Sequence, residues 1–234
     1  GLLILTGGPG TGKTTTVKGI IQLMKNRNLK VALAAPTGRA AQRMEELTGS
    51  EAKTIHRLLE VEYKEGENTQ SFVHDLKNPL DYDAVIIDEL SMVDVTLFAA
   101  LLDALPLHCR LIMVGDQDQL PPVGAGNVLR DMIDSGVLPV VTLDKVFRQA
   151  MKSKIVTNAH RVVRGEMPEF DNSAESDFFL LRENSRYNAQ KKILDLVTQR
   201  LPAGYGFDPM GDIQVLCPSR MGEVGTQNIN AILQ

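Results

Sequence analysis

The chain has 234 residues, of which 43% are hydrophobic, enough to build a core for one large domain or two small ones. Its net charge is −4 and its pI about 5.6, so no global basic field indicates a nucleic-acid partner, and any such binding must come from a local groove. We find no signal peptide and no apolar stretch of membrane length, and the two cysteines and four histidines lack metal-ligand spacing. The composition favours a soluble, cytoplasmic protein and argues against membrane and zinc-binding classes.

The first predicted element is a strand, Leu2–Leu5, which leads into the segment GGPGTGKT at positions 7–14. This segment fits the phosphate-cradle pattern GxxxxGK[ST]. Its glycines let backbone N–H groups approach a phosphate, Lys13 supplies a charge to the β and γ phosphates, and the Thr14 hydroxyl supplies an oxygen ligand for Mg²⁺. A helix is predicted over Thr14–Arg27, which gives the loop the context that the pattern requires. The expected ATP-binding residues are Gly8, Pro9, Gly10, Thr11, Gly12, Lys13, Thr14 and Thr15.

Further short apolar runs alternate with helical patterns along the chain. Helices are predicted at Gly38–Leu47 and Asp94–Leu105, and strands at Val31–Ala35, Ala84–Ile87, Leu111–Val114 and Val140–Leu143. Buried strands separated by helices predict an α/β fold with a mostly parallel sheet covered by helices on both faces. Between residues 60 and 82, two β-prone arms flank a polar turn, which predicts a small inserted β-hairpin or, alternatively, a plain surface excursion.

Two acids, Asp88 and Glu89, come directly after the predicted strand Ala84–Ile87. Ligands bind at the carboxyl ends of the strands in such sheets, so both acids should lie at the same edge as the phosphate loop. We expect Asp88 to hold Mg²⁺, usually through water, and Glu89 to polarise an attacking water. This pairing indicates ATP hydrolysis rather than phosphoryl transfer to a metabolite. Considered alone, two solvated acids at a strand end would be the simpler interpretation.

Gln119 and Arg148 follow the next two predicted strands. The Gln119 amide can donate to and accept from a γ phosphate or its attacking water, although it could also be a turn residue before a double proline. The planar guanidinium of Arg148 suits the charge on a transferring phosphoryl group, although a lone arginine is more often a surface ion-pair partner.

Past Arg148 the alternating pattern restarts. The predicted elements there are a helix at Ser153–Val163, a strand at Asp177–Leu181, a helix at Asn188–Leu201 and a strand at Asp212–Cys217, with loops at Gly165–Asp177 and Pro202–Pro209. We therefore divide the chain into residues 1–149 and 150–234, with a boundary that could fall anywhere from about residue 149 to 177.

The motifs together resemble those of superfamily 1 DNA helicases of the RecD-like branch, the exonuclease V alpha subunit family. The resemblance covers essentially the whole chain and rests on six motifs in the expected order: GGPGTGKT at 7–14, APTGRAA at 35–41, TIHRLL at 54–59, DELS at 88–91, GDQDQLPP at 115–122 and VFRQ at 146–149.

This resemblance implies a RecA-like P-loop NTPase fold. Residues 1–149 would form the first motor domain, with residues 60–82 as a hairpin that acts as a wedge, and residues 150–234 would start a second one. The implied catalytic residues are Lys13, Asp88, Glu89, Gln119 and, as arginine finger, Arg148. The implied magnesium ligands are Thr14 and Asp88, and the residues along single-stranded DNA are Thr37, Arg39, Thr54 and His56. Without the family, His56 would be interpreted as a buried hydrogen-bonded histidine, and Arg39 and Arg43 as a solvated helix face.

The expected function is that of an ATP-dependent DNA helicase motor with ATP and Mg²⁺ as cofactors and 5′-to-3′ polarity, the last from the family alone. Its partners would be single-stranded DNA, duplex ends and other subunits of a nuclease complex. Since the chain starts at its first strand and ends before the later helicase motifs, we expect a truncated motor that binds nucleotide weakly and cannot unwind DNA alone. The alternatives are a P-loop ATPase that remodels or loads other proteins, and a nucleotide-binding subunit that docks in a nuclease complex.

Overall fold

The computed structural model describes residues 1–63, 70–147, 150–171, 173 and 175–234. Its elements up to the hairpin are β1 (Leu2–Gly7), α1 (Lys13–Lys25), β2 (Val31–Ala35), α2 (Gly38–Thr48), β3 (Ala52–Thr54), α3 (Ile55–Leu59), β4 (Val61–Tyr63) and β5 (Gln70–Phe72). They are followed by β6 (Ala84–Ile87), a 3₁₀ turn (Leu90–Met92), α4 (Val95–Ala104), β7 (Arg110–Gly115), α5 (Val128–Asp134) and β8 (Val140–Leu143). The remaining elements are a 3₁₀ turn (Ala150–Lys152), α6 (Lys154–Val163), α7 (Arg186–Asp195), a π turn (Leu196–Arg200), α8 (Leu201–Tyr205) and α9 (Thr226–Leu233).

The centre of the fold is a six-stranded sheet in the order β3-β2-β6-β7-β1-β8, in which every pairing is parallel. Strand residues alternate between its two faces, as the period of two requires. On one face, Val85 and Ile87 pack with residues of α3, α4 and α5. On the other, Ile86 packs with Val17 and Ile21 of α1 and with a residue of α2. The predicted parallel sheet with helices on both faces is confirmed.

The two arms of the predicted hairpin, β4 and β5, pair in an antiparallel register that joins Val61 to Phe72 and Tyr63 to Gln70. This two-stranded sheet is separate from the main sheet. The polar turn between the arms, residues 64–69, lies outside the described residues.

Three predicted elements in the last third of the chain are wrong. The segments 177–181 and 212–217 are fully described, and neither pairs as a strand. At the first, Ser176 Oγ bonds both the N–H and the carbonyl of Phe178, so local side-chain bonds compete with a strand ladder. At the second, residues alternate between half-buried and exposed as the pattern predicted, but no neighbouring strand of the described chain pairs with them.

The third error concerns the predicted loop at Pro202–Pro209. Its first residues form α8, which continues directly from the helical segment Leu196–Arg200, so Pro202 extends an existing helix rather than starting a loop. The helix ends at Gly206, whose φ of 72° gives the left-handed cap that favours glycine.

The chain forms two compact units, Gly1–Phe178 and Phe179–Gln234. The first contains the sheet, the hairpin and α6. The second contains α7 to α9, and in it the Gln190 side chain donates to the Glu223 carbonyl while Lys192 bonds Glu183 at 2.8 Å and lowers the pKa of that carboxyl to about 2. That residues 150–234 begin a second RecA-like motor stays a prediction. Of the helices in the described ranges, none is long and apolar enough to span a membrane.

Candidate functional site

The phosphate loop connects β1 to α1 at the carboxyl edge of the sheet. Gly10 and Gly12 have φ values of 75° and 90°, in the left-handed region that a side chain would strain. The buried Thr11 donates its hydroxyl to the Gly8 carbonyl at 2.8 Å, which fixes the turn. Among the described residues, no side chain caps the amides in the first turn of α1. A helix N-terminus with free amides and its positive dipole end is suited to an anion, so the loop fits a phosphate.

Lys13 folds back over this loop, and its ammonium donates to the carbonyl of Gly7 at 2.5 Å and to that of Gly8 at 3.1 Å. Its charge also acts on Asp88 and Glu89, since it opposes the rise that burial causes in the pKa of both carboxyls. Thr14 follows Lys13 on α1 with its side chain exposed to the same cavity. The lysine is thus placed between the loop and the acids at the end of β6.

Asp88 and Glu89 lie directly beyond the last residue of β6, as the sequence predicted. Asp88 Oδ1 accepts the Glu89 N–H at 2.9 Å. Burial raises the pKa of Asp88, against this hydrogen bond and the charges of Lys13 and Arg43. Burial, followed by the charge of Asp88, raises the pKa of Glu89. Glu89 also has a φ of 54°, which is rare for a residue with a side chain and stores strain at this position.

Gln119 completes the row of polar groups on this edge. Its Oε1 accepts the hydroxyl of the buried Ser91 at 3.0 Å. The same side chain lies beside Glu89 and opposes the rise that burial causes in the pKa of that carboxyl. Because Ser91 occupies the amide oxygen, the amide NH₂ of Gln119 is the group that faces the Glu89 carboxylate.

A cavity of about 1180 Å³ joins these residues. The sequence-predicted residues that line it are Gly8, Pro9, Gly10, Thr11, Gly12, Lys13, Thr14, Thr15, Asp88, Glu89 and Gln119. Arg148 lies outside the described residues, so its role as arginine finger stays a prediction. No group of three or more His, Cys, Asp or Glu in the described part of the chain could hold a metal. Thr14 and Asp88 would therefore be the protein ligands of Mg²⁺, with phosphate oxygens and water completing its coordination shell, as is common for this ion.

Sequence reasoning missed Arg43 and Phe147, which line this cavity, and His160, which contacts the loop beside it. Arg43 lies on α2 and lines the cavity that contains the two acids, where its charge opposes the rise that burial causes in the pKa of both. A signal was available, because residues 40, 43, 44 and 47 all line the cavity with the spacing of one helix face. Phe147 donates its N–H to the Gly10 carbonyl at 3.2 Å and His160 contacts Pro9, and no local pattern predicts either contact.

The predicted DNA-path residues lie elsewhere on the same sheet edge. Thr37 follows β2 and Thr54 ends the neighbouring strand β3. Each side chain caps the next helix, accepting from Ala40 N at 3.2 Å and from Arg57 N at 3.1 Å. Arg39 is exposed on α2. His56 is half-buried with its ring 6.0 Å from that of Phe72, so the interpretation as a fully buried histidine does not hold.

The loop, the acids at the end of β6 and the cavity between them define a P-loop nucleotide-binding domain on a parallel sheet. Residues 1–125 match the model of the family described as AAA domain, a match that implies ATP binding. The chain is 39% identical, over its whole length, to the ATP-dependent RecD2 DNA helicase of Deinococcus radiodurans, and covers 30% of that protein. It is 41% identical over 157 residues to the RecBCD enzyme subunit RecD of Mycolicibacterium smegmatis, covering 57% of this chain and 28% of that one.

Among solved structures, Pif1 helicase from Candida albicans matches 82% of the chain and 50% of its own with a TM-score of 0.48 at 20% identity. The family match and the two relatives agree with the motifs. The chain belongs to the AAA domain family, and within it to the RecD-like branch of the superfamily 1 helicases. It spans about 30% of the length of the relatives it matches.

Proposed function

We propose that this chain is the ATP-hydrolysing motor of a DNA helicase, which couples hydrolysis of MgATP to movement along single-stranded DNA in the 5′-to-3′ direction. The observation that carries the proposal is the placement of Asp88, Glu89 and Gln119 across one cavity from Lys13. A phosphate-binding loop alone would support many reactions. A carboxylate with a raised pKa beside a hydrogen-bonded amide supports water activation in particular.

The proposed roles follow from the positions of the side chains. Bound MgATP supplies the phosphoanhydride and a divalent charge that draws electron density from it. Lys13 exchanges its bonds to the loop carbonyls for phosphate oxygens, and Thr14 and Asp88 offer the oxygens for magnesium. Glu89 accepts a proton from the attacking water at its free carboxylate oxygen. Gln119, which accepts a hydrogen bond from Ser91, orients that water. It also transmits the change in protonation of Glu89 to the exposed loop that follows Gln119.

DNA as partner rests on similarity rather than on charge, since the net charge is −4. We propose Thr37, Arg39, Thr54 and His56 as its contacts, because the parallel register of β2 and β3 brings their elements to one edge. The similarity to a RecBCD enzyme subunit supports other subunits of a nuclease complex as further partners. Unwinding requires a second motor domain that closes and reopens, so the unit Gly1–Phe178 by itself is proposed to bind nucleotide without unwinding duplex DNA.

ATP turnover of Lys13→Ala tests the nucleotide site. Loss of a charge that contacts the transferring phosphoryl group should lower kcat by on the order of 10²- to 10³-fold. Lys18→Ala is the matched control, because Lys18 is exposed on the same helix and absent from the cavity. Equal turnover in the two variants would contradict the proposed site.

A further inference from the structure

His160, on α6, rests against the phosphate loop although 151 positions separate it from Pro9. Its Nε2 lies 3.1 Å from the Pro9 carbonyl oxygen. A carbonyl can only accept, so the imidazole must carry its proton on Nε2 to make this bond. The ring is half-buried, and the neighbouring residues Asn158 and Ala159 of the same helix line the nucleotide cavity.

The same ring accounts for the glycine at position 8. The phosphate-cradle pattern leaves this position free, and the backbone of Gly8 lies outside the left-handed region that Gly10 and Gly12 occupy. A Cβ at Gly8 would lie 2.8 Å from His160 Cε1, closer than such contacts allow. The neighbour that excludes a side chain at Gly8 is therefore His160 and not the turn itself.

Helix α6 is held firmly enough to present this ring. Ser153 caps its N-terminus, accepting from Val156 N at 3.2 Å, and Asp177 accepts from Lys154 N at 2.7 Å. Further along the helix, the Asn158 side chain is 2% exposed and bonds the backbone of Glu169 twice, at 2.8 and 2.7 Å. Hydrogen bonds to Glu169 and to Asp177 thus fix the position of α6.

We propose that His160 is a positioning residue that sets the orientation of the Pro9–Gly10 peptide and so couples nucleotide binding to α6. A trans peptide is planar, so holding the Pro9 carbonyl toward α6 turns the Gly10 N–H to the opposite side. Thr11 and Lys13 hold the preceding carbonyl, of Gly8, in the same manner. The loop amides are then preorganised before a phosphate arrives. This inference rests on the proposed function, since it assigns a role within the same site.

The test is a double-mutant cycle in the full-length chain, with the Kd of a fluorescent ATP analogue as readout. His160→Ala removes one hydrogen bond and should weaken binding roughly three- to tenfold. Gly8→Ala should weaken it by a similar factor, because the new methyl displaces the ring. The double variant should be no weaker than either single one, since both changes remove the same contact. His160→Gln, which keeps an N–H donor, should recover most of the affinity.

Gly19→Ala and His108→Ala are the matched controls, since nothing lies within 4 Å of a Cβ at Gly19 and His108 is an exposed histidine. Thermal unfolding of all variants separates loop positioning from a loss of folding. Unchanged binding in His160→Ala, or additive losses in the double variant, would overturn the inference while a loss of binding in Lys13→Ala still upholds the nucleotide site. Failure of the wild-type chain to bind the analogue would instead overturn both.

Discussion

At the scale of residues, the two acids at the end of β6, Asp88 and Glu89, are partly buried in a way that costs stability but favours proton transfer. Burial raises the pKa of Asp88 and of Glu89 above ordinary values of 3.8 and 4.5, while Lys13 and Arg43 oppose the shift. Glu89 also has the left-handed backbone that a glycine would adopt more easily. Strain and unfavourable charge at one residue indicate a site whose geometry serves its reaction.

Glu89→Gln should therefore stabilise the fold at neutral pH while lowering ATP turnover. An acid with a raised pKa in the folded state holds its proton longer there than in the unfolded chain, so its contribution to stability falls as pH rises through that window. The variant lacks this fall and should gain stability at pH 7 and gain less near pH 4. Urea unfolding at the two pH values measures the difference. A loss of stability at pH 7 would show that Glu89 is well paired in the folded state.

At the scale of elements, the central strands of the sheet could be predicted because burial on both faces leaves a continuous apolar run, whereas the partly exposed edge strand β8 was recognised from its β-prone residues. The bounds of β2, β6 and β8 coincide with the predicted ones. β3 was missed as a strand because three residues, Ala52–Thr54, carry no period, and it forms through its parallel register with β2. The strand predicted at 177–181 has a clear apolar pattern but does not form. Its residues are instead held by a local hydrogen bond from Phe178 N to Ser176 Oγ and by stacking of Phe170 on Phe178.

Thr37 has a structural role and a proposed functional one, which substitution can separate. Thr37→Ala removes the cap of α2 and should cost about 1 kcal/mol of stability. Thr37→Asp keeps a capping oxygen and should leave stability near that of the wild type. Its negative charge, however, should weaken binding of single-stranded DNA if a backbone phosphate lies beside it. Chemical unfolding measures the stability of each variant, and titration with single-stranded DNA measures its affinity. Undiminished DNA binding by the Asp variant would show that the DNA does not pass beside Thr37.

At the scale of the whole molecule, the sequence predicted the part of the site that lies in contiguous motifs at strand ends. Parallel strands bring those ends to one edge, so the residue pattern alone placed Lys13, Asp88 and Gln119 together. The spacing of one helix face could have placed Arg43 on the side of α2 that lines the cavity. His160 could not be placed there, because its position depends on how α6 packs over the loop. The compact unit that contains the site extends to Phe178, so α6, Pro168 and Phe178 belong with the nucleotide cavity that they line.

The most direct test of the motor is the ATP turnover of the full-length chain with and without single-stranded DNA. Movement along DNA requires that bound DNA accelerate hydrolysis, because each step of the ATPase cycle must be coupled to binding and release of the DNA. We predict a clear stimulation by single-stranded DNA in the wild type and in Lys18→Ala, and its loss in Lys13→Ala. Turnover that depends on Lys13 but is unchanged by DNA would contradict the helicase function and indicate an ATPase that acts on another partner.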